Sequence, residues 1–113
     1  MSEEDIRLVN LRKEALLNLK KAPSQFSVLF HLLNTGKPLT VREISKDLNL
    51  TPKAAERAVA KLLEKKLIQR NLFKEGAYAC DSKQILLALF VTIGDIQEQL
   101  ENQSKGLKET ASS

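Results

Sequence analysis

The stretch "LTPKAAERAVAKLLEKKLIQR", residues 50–70, carries a complete helix with its start signal and its exit. Thr51 is a good N-cap, Pro52 suits the first helical position, and a run of strong helix formers follows. Leu50, Ala55, Val59 and Leu62/Leu63 share one side at helical spacing. Lys53, Glu56, Arg57, Ala60, Lys61 and Glu64 take the other. One face is built to be buried. The other is an ordinary solvated surface, a protein-docking surface or a nucleic-acid reading face, and the flanking sequence bears on the choice.

Upstream, "LTVREISKDLNL" opens on Thr40 with Glu43 three residues later, a capping-box spacing. Val41, Ile44 and Leu48 form its inner face, and Asn49–Leu50 leaves a tight turn before the Thr51 cap. Before it, residues from about Asp5 to Ala22 predict a first helix, with Ile6, Val9, Leu16 and Leu17 among its apolar positions. The break "APS" starts a second, in which Phe26, Leu29, Phe30 and Leu33 recur at three and four residues until Gly36 and Pro38 stop it. Downstream of Lys66 the period shortens. "LIQRNLF" and "AYACD" are β-compatible runs joined by "KEG", where Gly76 can take the positive φ of a small hairpin. Asp81 and Ser82 then offer caps for a last helix, "KQILLALFVTIGDIQEQLENQ".

Composition agrees with a mainly helical chain with a minor β component. Its 113 residues fit one compact domain with an appended helix. They are 42% hydrophobic but only 4% aromatic, so the core must come from Leu, Ile, Val and Ala. A single cysteine excludes an intrachain disulfide. The acidic start "MSEEDIRLVN" is unlike a signal peptide, and Ile85–Ile93 is too short an apolar run to span a bilayer. These features predict a cytoplasmic protein without membrane attachment. The net charge of +4 is unevenly placed. Between Lys37 and Glu75 there are ten basic and five acidic residues, a net of +5, against eight and nine elsewhere. Such a basic segment fits nucleic-acid contact, and a solvated Lys-rich surface is the common alternative.

Helix, helix, helix, tight turn, helix, hairpin, helix is the order of a winged helix-turn-helix. The stretch from Phe26 to about Asp81, and most closely "TVREISKDLNLTPKAAERAVAKLLEKKLIQR", resembles the DNA-binding domain of small prokaryotic winged-helix regulators of the MarR, TrmB and Lrp-like archaeal kinds. The inner Ile44 and Leu48, the Asn49–Leu50 turn, the Thr51 cap, inward Ala55 and Val59, and "LIQR" entering the wing carry the resemblance. Lys66 departs from it, because those families often place Gly there. The domains expected are an N-terminal helix over 1–22 that can join a dimer interface, a winged helix-turn-helix with a two-stranded wing over 23–81, a C-terminal dimerisation helix over 82–104, and a polar, fraying tail over 105–113.

The resemblance implies that residues near the start of the 51–65 helix reach base edges in the major groove of double-stranded DNA. Carried over by position, these are Thr51, Lys53, Ala54, Glu56, Arg57 and Lys61. Arg57 suits bidentate pairing with guanine, and Lys53 and Lys61 suit phosphates. Glu56 can accept from cytosine or pair with Lys53 or Lys61. Thr40 and Arg42 are placed to meet the backbone, and Arg70, Asn71 and Lys74 give the wing a polar, basic edge. In the last helix Leu86, Leu89, Ile93, Ile96, Leu100, Gln103 and Leu107 follow 3-4 spacing, a short heptad seam that predicts a homodimer by coiled-coil packing. Ile85, Leu87, Phe90 and Val91 add a second apolar face.

One His and one Cys leave hydrolytic and metal mechanisms without their parts, and no phosphate loop or nucleophile–base arrangement is visible. His31, set among apolar residues, is expected to be a packed or edge residue, and Cys80 is a candidate redox thiol only if its pKa is lowered. The chain therefore predicts a non-enzyme with no cofactor and no metal: a dimeric transcription regulator. The alternative is a winged-helix interaction module in a transcription or chromosome-associated assembly. The operator, the direction of regulation and any small-molecule effector are not encoded in these patterns.

Overall fold

The computed structural model describes residues 2–112, and the side chains of residues 2–105. Helix α1 (Glu3–Asn18) starts on a capping box between Ser2 and Asp5 and runs into a 3-10 turn, Leu19–Lys21. Helix α2 (Pro23–Thr35) begins with Pro at its first position and stops at Gly36, whose φ of 64° satisfies the left-handed closing turn. Strand β1 (Leu39–Thr40), helix α3 (Val41–Leu48) and helix α4 (Pro52–Glu64) follow. The α3–α4 turn is tight because Asn49 takes a left-handed φ of 54° and Ser45 Oγ donates to the Leu50 carbonyl at 2.6 Å. Strands β2 (Gln69–Arg70) and β3 (Ala77–Ala79) form the wing, and helix α5 (Ser82–Ser112) closes the chain.

The sequence anticipates a two-stranded wing, and the sheet has three strands in the order β1-β3-β2, all antiparallel. Leu39–Thr40 is too short to show a period of two. It pairs with Tyr78 and Ala77, so the start of α3 is tied directly to the wing. The strand expected over "LIQRNLF" covers Gln69–Arg70 alone, because Asn71 turns the chain. Helix α5 runs to Ser112, past the end expected near 104, and Leu107 lies outside the described side chains.

The core joins Val28, Leu29 and Leu32 of α2, Ile44 of α3, Ala55, Ala58, Val59 and Leu62 of α4, Leu67 and Ile68, and Ile85 of α5. Burial at roughly 25 cal/mol per Å² of apolar surface is the main force behind this packing. In α2 the buried stripe is Val28, Leu29 and Leu32, whereas Phe26 and Phe30 stack on each other at 6.1 Å in solvent. In α5 the domain-facing stripe is Ile85, Ala88 and Thr92, so Phe90 and Leu87 belong to the opposite, exposed surface. The sequence groups Ile85, Leu87, Phe90 and Val91 as one second apolar face, and packing divides that group, because a helix apolar on most sides gives no periodic sign of which stripe its own domain takes.

Helix α1 packs along α5. Arg12 Nε donates to the Lys66 carbonyl at 2.9 Å and Nη1 to Gln84 at 3.2 Å, while Lys13 pairs with Asp95 at 2.6 Å. These contacts fix the long helix against the winged head. The molecule measures 63 × 33 × 20 Å, its long axis set by α5 projecting past the head.

Candidate nucleic-acid interface

Helix α4 owes its orientation to its apolar side. Ala55, Ala58, Val59 and Leu62 are buried, so Lys53, Glu56, Arg57, Ala60, Lys61 and Glu64 are held in solvent. Thr51 Oγ1 accepts from the Ala54 amide at 3.1 Å, which fixes the first turn. Lys53, Arg57 and Lys61 recur every four residues and form one cationic line along the exposed side. Lys61 lies 3.6 Å from Glu64, its partner in place of Glu56, and both side chains are largely exposed, so this pair holds the lysine weakly. Among the described residues, Arg42, Lys53, Arg57 and Arg70 have no ion-pair partner within 4 Å.

The ridge of α4 stands between two open clefts. One, of about 460 Å³, separates it from the start of α2 and is lined by Lys21, Pro23, Ser24, Gln25, Ala54, Arg57 and Lys61. The α2 N-cap is Ala22, which offers no side-chain acceptor, so the positive end of that helix faces the cleft beside three cations. Lys21 and this helix end were not among the sequence candidates; the Ala-Pro-Ser break marked a helix start but gave no sign that it would sit against α4. The second cleft, of about 510 Å³, lies between Ala60 and Glu64 of α4 and Gln69 and Arg70 of β2. Lys65 turns aside, its Nζ donating to Gln25 at 2.5 Å.

Three of the expected polar contacts are engaged inside the protein. The Thr40 hydroxyl accepts from the Glu43 amide and donates to the Glu43 carboxylate, both at 3.1 Å. Asn71 Oδ1 accepts from the amides of Phe73 and Lys74 at 2.9 and 2.8 Å. Lys74 Nζ sits 2.7 Å from Glu43 and 3.4 Å from the Pro38 carbonyl. The Lys74 ammonium, with the Thr40 donors, holds the Glu43 carboxyl below its ordinary pKa. Thr40 and Asn71 thus shape the interface, and Arg42 and Arg70 remain extended from it. At the wing apex Leu72 and Phe73 are 92% and 96% exposed, a feature concealed in the sequence by their β-compatible run.

Along α5, Leu86, Leu89, Ile93, Ile96 and Leu100 are all exposed in the single chain, together with Phe90. Helix α1 adds Ile6, Leu11 and Leu17. His31 Nε2 lies 3.0 Å from Asp47, joining α2 to α3. Cys80 is half-buried with Sγ donating to the Leu67 carbonyl at 3.5 Å, and burial pushes its thiol up to about 11. At neutral pH it is protonated and a poor nucleophile. No helix of the described residues is long and apolar enough to cross a membrane.

A tight helix-turn-helix with an exposed cationic second helix, flanked by a wing, defines a winged helix-turn-helix fold. Residues 21–75 match the model of the MarR family. A structure of the Staphylococcus aureus MepR–DNA complex is similar at 25% identity and a TM-score of 0.52, covering 92% of this chain and 91% of that one. A structure of S. aureus MepR, a transcription regulator of the multidrug efflux pump MepA, aligns at 19% identity and a TM-score of 0.49, covering 92% and 85%. No curated protein matches the chain significantly. Of the three kinds of regulator that the sequence resembles, the matches support MarR, and they give no support to an archaeal source.

Proposed function

We propose that the chain is a homodimeric, sequence-specific regulator that lays α4 of each subunit in a major groove of double-stranded DNA. The line Lys53–Arg57–Lys61 on the exposed side of α4 is the observation that carries this reading. Arg57, the central member, is the residue for a guanine edge, and Lys53 and Lys61 flank it as phosphate partners. Thr51, Ala54 and Glu56 complete the base-facing turn. Arg42, Arg70 and Lys21 approach the backbone on either side, and the open end of α2 adds amides that favour a phosphate. Similarity to MepR, whose structure was solved with DNA, supports this use of the fold.

The exposed series Leu86, Leu89, Ile93, Ile96 and Leu100 meets its counterpart in a second copy, with the outer side of α1 as the neighbouring surface. This pairing removes from water an apolar surface larger than a monomer ordinarily leaves exposed. The regulator acts without catalysis and without a metal, in the cytoplasm where its DNA lies.

A mobility-shift titration against random-sequence duplex at several salt concentrations tests the reading. About three of the five cations Lys21, Arg42, Lys53, Lys61 and Arg70 touching phosphate in each head, or about six contacts per dimer, give a log–log salt slope near −5. Half-sites about 34 Å apart bind best, matching two heads on one side of the duplex. Absence of duplex binding at low salt by folded, dimeric protein would overturn the DNA reading in favour of a protein-docking module.

A further inference from the structure

We propose that the wing tip is an apolar wedge: Leu72 and Phe73 enter the minor groove beside the α4 site and part a base step, bending the duplex. The inference rests on the DNA reading above. Two adjacent large apolar side chains more than nine-tenths exposed are an unusual use of a surface loop. Their loop is also braced. Asn71 Oδ1 accepts from two successive amides, the Asn71 amide donates to the Ala77 carbonyl at 2.9 Å, and the Ala77 amide donates to the Lys74 carbonyl at 3.2 Å. Gly76 takes the φ of 71° that closes the turn, and Lys74 anchors the loop to Glu43 at the start of α3. The tip is therefore a pre-ordered projection, and insertion costs it little further ordering.

Charge selects the occupant. Arg70 stands at the base of the tip with Lys66 in the adjoining cleft, whose α4 side is Ala60, Leu63 and Glu64. Glu64 is paired with Lys61, and the cations Lys53 and Arg57 lie elsewhere on the exposed side of α4, so a polyanion is the partner that matches the surroundings. On duplex DNA, the phosphates and the polar groove edges present donors and acceptors that the hydrocarbon side chains of Leu72 and Phe73 cannot pair with. The apolar faces of stacked bases are the complementary surface, and they become available when a step is opened from the minor groove. Pyrimidine–purine steps open most easily, so the preferred site carries TA or CA/TG where the tip falls, outside the α4 contacts.

The test begins with duplexes of random sequence, from which the wild-type protein retains a pool. The best retained duplex is then labelled at its ends for energy transfer, with 2-aminopurine at the candidate step. Wild type is expected to raise both end-to-end transfer and 2-aminopurine emission. The double variant Leu72→Ser/Phe73→Ser should do neither, and should bind about tenfold or more weakly with an unchanged salt slope. Because both side chains stand in solvent, the variant should keep its melting temperature, which separates loss of the wedge from loss of fold. Retention of a duplex that stays straight, or equal bending and affinity for both proteins, would overturn the wedge and leave the DNA reading standing. Failure to retain any duplex would overturn both. Tip-dependent capture of another protein, with DNA binding indifferent to the substitutions, would reassign the tip to protein docking.

Discussion

Helices α4 and α5 are both amphipathic, yet the fold treats their apolar sides in opposite ways. Helix α4 buries Ala55, Ala58, Val59 and Leu62 within its own chain and turns its cations outward. Among the described side chains, helix α5 buries Ile85, Ala88 and Thr92 against its own chain, and leaves Leu86, Leu89, Phe90, Ile93, Ile96 and Leu100 in water. One helix is completed by folding, and the other is left unfinished by it. On the proposed pairing, the difference separates two kinds of stability: that of the head is intramolecular, and that of α5 depends on a second molecule and so on concentration.

The largest expected effect tests the α4 side. Leu62 is fully buried, so Leu62→Ala should cost about 2–5 kcal/mol in urea unfolding, with a loss that is the same at low and high protein concentration. Ile93→Ala should cost less, and its loss should fade as the protein is diluted toward monomer. Equal, concentration-independent losses from the two changes would erase the distinction between the helices.

Ile93→Asp presses harder on the α5 side by placing a charge in the apolar pairing. Sedimentation should show conversion from dimer to monomer, with the circular dichroism of the head largely kept. A wild type that already sediments as monomer at tens of micromolar, where a stable dimer would persist, would refute the pairing. On α4 the expected loss concerns specificity. Arg57→Ala should remove about 1–3 kcal/mol of discrimination at one position of each half-site, and Lys46→Ala on α3 much less. Equal, sequence-independent losses would place Arg57 on phosphate.

Much of this comparison was legible in the sequence because it rests on local rules. The Thr40–Glu43 capping box, the Thr51 cap, the Gly36 stop and the buried side of α4 are encoded within a few residues of where they act. What was not legible depends on residues far apart in the chain. β1 exists because Leu39 meets Tyr78. Arg12 braces a turn 54 residues away, and no local pattern marks it. Phe26 and Phe90 hold apolar positions in helices with more apolar residues than one buried stripe can take, and only packing decided which were left out. In the candidate site, the exposure of Lys53, Arg57 and Lys61 followed from periodicity and their candidacy from the resemblance, whereas the engagement of Thr40, Asn71 and Lys74 by protein partners needed the sheet and the wing turn in place.

The link between α3 and the wing gives a smaller, pH-dependent effect. The Glu43 carboxyl is held below its ordinary pKa by Lys74, so its contribution is present above the ordinary carboxylate range. It is lost as pH falls through the depressed value. Amide exchange in residues 71–76 should therefore quicken, relative to the intrinsic rate, at acid pH before the α4 core yields. Glu43→Gln should show the quicker exchange at neutral pH and lose the acid dependence. Lys13, raised by Asp95, works in the opposite direction: its contribution is full at neutral pH and lost as strongly alkaline pH passes its folded value.

The smallest effect lies at Lys66, where the chain leaves the α4 head for the wing. Its φ is 61°, in the left-handed region where a side chain costs about 1–2 kcal/mol and glycine nothing. Lys66→Gly relieves that strain, but the more flexible unfolded chain takes back about 0.5–1 kcal/mol. The net gain should be about 0.5–1 kcal/mol, or a few degrees in Tm. Two backbone bonds close the turn, from the Lys66 amide to the Leu63 carbonyl and from the Leu67 amide to the Leu62 carbonyl, both at 3.0 Å, and Arg12 adds a third support. Its Nε donates to the Lys66 carbonyl at 2.9 Å, fixing the peptide in the orientation that the turn requires. Arg12→Ala should therefore destabilise the wild type more than it destabilises the Lys66→Gly background. A double-mutant cycle measured by urea unfolding at one protein concentration would read the coupling directly. Strict additivity would mean that Arg12 serves the α1–α5 packing through Gln84 alone, and that the turn at Lys66 holds its left-handed form without help from α1.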